Sequence, residues 1–123
     1  MIIQNTYYYL LNVATDKTLY WQNDNVTITI KNESNETVTF GNSVYDLFFA
    51  RWNGVSWEFY TGVLGLEVIT YLKPSETEEV EYKLGGRTDK PFPPGKYQVI
   101  SKGWLEQNGQ IIRVWGHAEF TIE

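Results

Sequence analysis

Residues 97–122, YQVISKGWLEQNGQIIRVWGHAEFTI, decide the fold that the sequence predicts. Asn108 and Gly109 separate two strand-like runs, and an Asn-Gly pair favours a hairpin turn because both residues tolerate positive φ. In the second run, apolar or small residues occupy every other position and so share one face: Ile112, Val114, Gly116, Ala118, Phe120 and Ile122. This period of two predicts an antiparallel hairpin with one buried face.

The same alternation occurs throughout the upstream sequence. It predicts strands near residues 26–31, 38–40, 45–52, 55–59, 68–72 and 80–84, with turn residues between them. Asn53-Gly54 predicts a second hairpin, and no segment has the spacing of an amphipathic helix. The predicted fold class is therefore all-β. We expect residues 1–123 to form a single immunoglobulin-like antiparallel β-sandwich of about seven to nine strands.

Composition excludes several classes of function. The chain has 123 residues, and its net charge of −5 weighs against nucleic acid as a partner. It has no cysteine, which excludes disulfides and zinc–thiolate sites. No apolar run approaches the roughly 20 residues of a membrane helix, so we expect no membrane insertion of this segment. Residues 1–5 lack the features of a signal peptide, so either the protein is cytoplasmic or a leader or anchor has been removed.

Two turn motifs resemble a known family. Leu72-Lys73-Pro74-Ser75-Glu76 is followed by Pro94-Gly95-Lys96-Tyr97-Gln98-Val99. The pair resembles prokaryotic immunoglobulin-like domains of the BsuPI-type intracellular proteinase inhibitor group and related surface modules, although Ser75 stands where that group prefers Gly. The resemblance implies a proteinase inhibitor acting through an exposed loop, with residues 61–66 or 87–94 as candidates. In physical terms, Tyr97 is predicted to form a tyrosine corner, with a buried ring and a hydroxyl bonded to upstream backbone.

No group of residues predicts catalysis. His117 is the only histidine, and it is predicted to face solvent. Without cysteine or a second histidine it cannot build a histidine-based metal site or a nucleophile–base pair. Glu76, Glu78, Glu79 and Glu81 alternate in direction along a strand, so they predict a solvated edge rather than a calcium site. We therefore expect no enzyme, no metal and no cofactor.

The last hairpin supplies a candidate binding patch. If Val114 and Phe120 point inward, Trp115 and His117 point outward on the same strand. The neighbouring strand would add further outward residues, and monomers rarely leave such apolar patches bare. The alternative is that the Asn53-Gly54 hairpin or the N-terminal segment covers them. The predicted patch consists of Ile100, Trp104, Arg113, Trp115 and His117.

Two further features bear on location and assembly. Asn25, Asn32 and Asn35 each begin a glycosylation sequon, which favours an extracellular or cell-envelope location, although Asn, Ser and Thr are also ordinary turn residues. Residues 6–14 are apolar on both faces, so that segment is either buried within its own chain or donated to another subunit.

The sequence thus predicts a non-catalytic protein-binding or assembly module, with the cell surface favoured as its location. Its partner would be a protein, either another molecule of the same chain in a homo-oligomer or a different one. Three alternatives stay open: a proteinase inhibitor, a subunit or anchor of an archaeal surface filament, and a carbohydrate-binding module that uses an exposed Trp.

Overall fold

The computed structural model describes residues 6–123. The prediction about a leader or anchor rests on residues 1–5 and lies outside these residues. These residues form eleven strands and no α-helix. The strands are β1 Tyr7–Tyr9, β2 Leu11–Thr15, β3 Leu19–Tyr20, β4 Asn25–Asn32, β5 Val38–Phe40, β6 Phe48–Trp52, β7 Trp57–Gly62, β8 Thr70–Leu72, β9 Thr77–Lys83, β10 Gly95–Gln107 and β11 Gln110–Ile122.

Two sheets form the sandwich. The smaller sheet has the order β2-β4-β9, and the larger sheet is built around the long β10–β11 hairpin. On the other side of β10, residues 97–100 pair with β6 and Trp104 pairs with β5. Strand β7 extends the sheet beyond β6, and β8 extends it beyond β5. The all-β sandwich predicted from the sequence is confirmed.

The N-terminal part of the chain raises the number of strands above the predicted seven to nine, because it forms three short strands, two of which pair with β11. β1 pairs in parallel with residues 113–115, and β3 pairs in parallel with residues 121 and 122. Between these two contacts the chain crosses to the smaller sheet as β2. A segment that looks continuous in sequence is therefore divided into three short strands, and two pairings are parallel rather than antiparallel.

The core lies between the sheets and is rich in aromatic rings. The rings of Tyr97 and Phe120 stack with centroids 5.7 Å apart, and Phe49 meets Phe92 edge-on at 5.2 Å. The predicted tyrosine corner is confirmed, because Tyr97 is fully buried and its hydroxyl donates to the Pro93 carbonyl at 2.5 Å. Gly116 is required where β2 crosses β11, because a Cβ there would lie 2.1 Å from the Leu11 carbonyl oxygen.

The turns confirm one predicted boundary and correct others. Asn108 and Gly109 both have positive φ and form the predicted two-residue turn. At Asn53-Gly54 the hairpin has a four-residue loop, because the Asn53 side chain accepts two backbone N–H groups while only Gly54 has positive φ. The strand predicted from residue 45 begins at Phe48, since Tyr45 and Asp46 lie in a turn with positive φ.

The strand predicted over residues 68–72 begins only at Thr70.

Within residues 6–123 there is no helix with the length and apolar character needed to cross a membrane.

Candidate binding surface

The outer face of the larger sheet holds a group of aromatic side chains from four strands. We define the aromatic face as Tyr7, Tyr9, Phe48, Phe59 and Trp115, together with the intervening Ile100, Lys102 and His117. Strand register aligns them, because Tyr9 lies beside Trp115, and Trp115 beside Lys102. In the next row, His117 lies beside Ile100, and Ile100 beside Phe48.

At the β1 edge, three rings pack together. Trp115 and His117 stack with centroids 4.9 Å apart and an interplanar angle of 12°. Tyr9 meets both rings edge-on, and its hydroxyl donates to the His117 carbonyl at 3.1 Å. Trp115 and His117 are consequently half-buried, so the N-terminal segment covers them in part. His117 was predicted to face solvent, but its Nδ1 is buried and has no hydrogen-bond partner among residues 6–123.

In the middle of the face, a cation lies among aromatic rings. The Lys102 ammonium lies 4.8 Å from the centroid of Tyr7 and 5.4 Å from that of Phe48. The Phe48 ring lies 5.7 Å from that of Phe59, which is 69% exposed. Tyr7 and Tyr9 are 38% and 53% exposed. The accessible aromatic area is therefore supplied mainly by β1 and β7.

The five predicted patch residues share the outer face, but they differ in accessibility. Ile100 points outward as expected, yet it is only 8% exposed because Phe48 and His117 flank it. Its predicted exposure is wrong. Trp104 is half-buried, whereas Arg113 is exposed and lies with its guanidinium carbon 6.0 Å from the Tyr7 centroid.

Sequence reasoning left Tyr7, Tyr9, Phe48 and Phe59 out of the patch. The alternation of Val55, Trp57 and Phe59 after Asn53-Gly54 was the available signal for Phe59. For the three consecutive tyrosines, the sequence predicted a strand either buried within its own chain or donated to another subunit. The strand pairs with β11 of the same chain, as the first alternative expects, but its rings are exposed at the sheet edge rather than buried.

The outer face of the smaller sheet differs in chemistry. Thr27 and Thr29 on β4 lie beside Glu81 and Glu79 on β9, and the Thr27 hydroxyl donates to Glu81 at 2.6 Å. Strand β9 is an edge strand, and its glutamates are exposed. Within residues 6–123, no three acidic, His or Cys side chains are close enough to hold a metal ion.

The three predicted glycosylation sites differ in solvent accessibility. Asn25 and Asn35 are exposed. Asn32 is fully buried, and its amide donates to the carbonyls of Glu36 and Leu72. In the folded protein, Asn32 does not offer its amide to solvent, because both of its amide hydrogens are engaged inside the protein.

A second exposed apolar feature lies between β7 and β8. We call residues 63–69 the apolar loop. Leu64 and Leu66 are 74% and 70% exposed, and Val68 and Ile69 are about half exposed. The backbone of Leu66 bonds to Ser43 in both directions, through its N–H to the hydroxyl and through its carbonyl to the N–H. The loop therefore presents apolar side chains from an anchored backbone.

Of the two candidate inhibitory loops, residues 61–66 overlap the apolar loop only from residue 63, because residues 61 and 62 belong to β7. The second, residues 87–94, folds back on the domain. Phe92 is 3% exposed and packs in the core. The carbonyls of Pro91 and Pro93 accept hydrogen bonds from Tyr60 and Tyr97.

Comparison with known proteins found only weak structural similarities. No protein-family model and no curated protein matches the chain. Spo0M, a sporulation control protein from Bacillus subtilis, is 18% identical at a TM-score of 0.47, covering 92% of this chain and 48% of that one. The Pseudomonas fluorescens alkylpurine DNA glycosylase AlkC, bound to DNA containing an abasic site analogue, is 13% identical at 0.46, covering 94% and 31%.

A β-glucosidase from Erythrobacter marinus is 14% identical at a TM-score of 0.41, covering 91% of this chain and 15% of that one. The chain thus spans less than half the length of each of these structures. TM-scores of this size support no inference about function.

Proposed function

We propose that this chain is a non-catalytic protein-binding module that docks its partner on the aromatic face. The supporting observation is the contrast between the two outer faces of the sandwich. One presents the exposed rings of Tyr7, Tyr9 and Phe59 with the half-buried Trp115, and the other presents threonine and glutamate. The smaller sheet shows that an outer face of this sandwich can be polar. The requirement for solubility therefore does not explain why the other outer face exposes aromatic rings.

The residue types suit protein recognition. Tyr, Trp and Phe are enriched at protein interfaces, where their rings bury large areas at a small cost in side-chain entropy. Phe59, at 69% exposed, would bury most of its ring only when a partner covers it. Lys102 and Arg113 add cations beside the rings. The exposed sequons at Asn25 and Asn35 support a cell-surface location.

The first test is whether the partner is a second copy of the chain. We would measure solution mass by light scattering from micromolar to millimolar concentration for the wild type, Phe59→Ser and Trp115→Ala. If the chain self-associates through this face, each substitution weakens association by about 1–2 kcal/mol or more, as for an interface hot spot. Thr29→Ala, on the opposite outer face, is the matched control and leaves association unchanged.

If the wild type is monomeric, the partner is a different protein. A photo-crosslinking phenylalanine analogue at position 59 should then capture a discrete protein in cells of the source organism, and the same analogue at position 29 should not. Failure of both self-association and position-specific crosslinking contradicts the proposal. Oligosaccharide binding that Phe59→Ser abolishes would assign the face to carbohydrate instead.

The apolar loop favours a second candidate function, inhibition of a proteinase. An inhibitory loop must protrude and hold its backbone in place, and Leu64 and Leu66 protrude from a segment fixed to Ser43. A panel of purified proteinases that prefer apolar residues tests this. Leu64→Asp and Leu66→Asp should each abolish inhibition, whereas Val55→Asp, at an 85% exposed site on another loop, should leave it intact. Absence of inhibition across the panel removes this candidate.

A further inference from the structure

A cleft of about 360 Å³ opens at the end of the sandwich where β1 and the β10–β11 hairpin meet the β4–β5 turn. Its volume lies within the range of about 300–1,000 Å³ typical of small-ligand sites. It lies apart from the aromatic face, because its tyrosine is Tyr8, whose ring is on the opposite side of β1 from those of Tyr7 and Tyr9.

The floor of the cleft is apolar. Leu105 is 4% exposed, and Leu10 and Ile112 are partly buried against the main core. Tyr8 forms a wall and is 46% exposed. Apolar side chains at the margin of the core thus line the cleft.

The rim of the cleft is acidic and held in place. Glu33 and Glu36 lie on the β4–β5 turn, which the buried Asn32 holds by accepting from the Ser34 backbone and hydroxyl and donating to the Glu36 carbonyl. The Glu33 carboxylate accepts from the Asn12 amide at 2.9 Å, and the Glu33 N–H donates to the Leu10 carbonyl. A rim fixed before binding reduces the entropy lost when a ligand binds.

The described residues that line the cleft carry no positive charge, since none of them is a lysine or arginine. Within residues 6–123, the ion pair formed is that between Arg87 and Asp89, which involves neither glutamate. Two glutamates among apolar lining residues complement a ligand that has an alkyl stem and a cationic end.

We propose that this cleft binds an ammonium or guanidinium group on an alkyl stem, with the stem on the floor formed by Leu10, Leu105 and Ile112 and the cation between Glu33 and Glu36. Such a group is supplied either by a lysine or arginine side chain of an extended peptide or by an aliphatic amine. This site is independent of the aromatic face and of the function proposed for it.

The test is a titration of the full ¹⁵N-labelled chain with hexylammonium, followed by NMR chemical shifts. 1-Hexanol and hexanoate serve as neutral and anionic ligands with a similar stem. Hexylammonium should shift the amide signals of the residues that line the cleft and bind more tightly than hexanol, and hexanoate should bind least. Equal affinity for hexylammonium and hexanol, or shifts confined to other parts of the chain, would overturn the proposal.

Isosteric substitutions separate charge from structure. Glu33→Gln and Glu36→Gln should each weaken hexylammonium binding by up to about fivefold, the effect of one exposed ion pair, and leave hexanol binding unchanged. Glu79→Gln, an exposed carboxylate on β9, is the control and should change neither. Unchanged hexylammonium affinity in the double variant would contradict the site.

A second titration identifies the source of the cation. A blocked pentapeptide with a central lysine is compared with the same peptide carrying norleucine and with hexylammonium. If the lysine peptide binds most tightly, the cleft accepts a side chain of a protein partner. If hexylammonium binds most tightly, the cleft accepts a small amine, whether or not the two peptides differ. Equal binding of the lysine and norleucine peptides, together with equal binding of hexylammonium and hexanol, would overturn the proposal.

Discussion

At the residue scale, the Tyr97 hydroxyl makes a single, partly buried hydrogen bond, to the Pro93 carbonyl. Tyr97→Phe keeps the ring in the core and removes this bond. We expect the free energy of unfolding to fall by about 1 kcal/mol, the typical value for one hydrogen bond, as measured by urea denaturation. Tyr8→Phe, at a half-exposed ring, is the control and should change it little. Equal effects of the two substitutions would contradict the role given to the corner.

Asn32 is a buried polar residue with a larger set of bonds. Its amide holds the Glu36 and Leu72 carbonyls, and its oxygen accepts two bonds from Ser34. Asn32→Ala leaves the buried Leu72 carbonyl without this donor, which we expect to cost at least about 1–3 kcal/mol of stability.

Chemical denaturation compared with that of Asn35→Ala, at an exposed position in the same turn, measures this effect. If the two variants had the same free energy of unfolding, the buried hydrogen bonds of Asn32 would make no net contribution to stability.

At the element scale, the crossing of β2 over β11 depends on Gly116. A Cβ at that position would lie 2.1 Å from the Leu11 carbonyl oxygen and 3.0 Å from the Leu11 side chain. Gly116→Ala therefore forces the two strands apart, and we expect a loss of about 1–3 kcal/mol or more, as for an overpacked core. Thermal unfolding measures it.

Gly62→Ala is the matched control for this crossing, because nothing lies within 4 Å of a Cβ there. Its melting temperature should stay close to that of the wild type. A similar decrease for both variants would show that the crossing tolerates a side chain.

At the scale of the whole molecule, the burial of Tyr20 and Tyr97 predicts that the folded state loses stability at alkaline pH. Burial raises the pKa of Tyr20 to about 12, with its hydrogen bond to Asp16 acting in the same direction, and burial likewise raises the pKa of Tyr97 to about 12. In the unfolded chain both lose their protons near the ordinary value of 10.0. The folded state therefore binds more protons between these values, so stability is complete below pH 10 and falls as the pH rises towards about 12.

Denaturant titrations at several pH values between 8 and 12 check this expectation. Tyr97→Phe removes one of the two groups, so its stability should decline less steeply above pH 10 than that of the wild type. A wild-type stability that does not change over this range would contradict the prediction.

The sequence by itself determined the sandwich, the β10–β11 hairpin and the tyrosine corner. These depend on local properties: period-two alternation, the positive φ that Asn108 and Gly109 tolerate, and the short distance from Tyr97 to Pro93. Only the tertiary structure decided the division of residues 7–20 among two sheets, the burial of Ile100 and Asn32, and the cleft between Tyr8 and Glu36. These depend on which distant strands become neighbours, and the alternation of a strand gives the direction of a side chain but not what covers it.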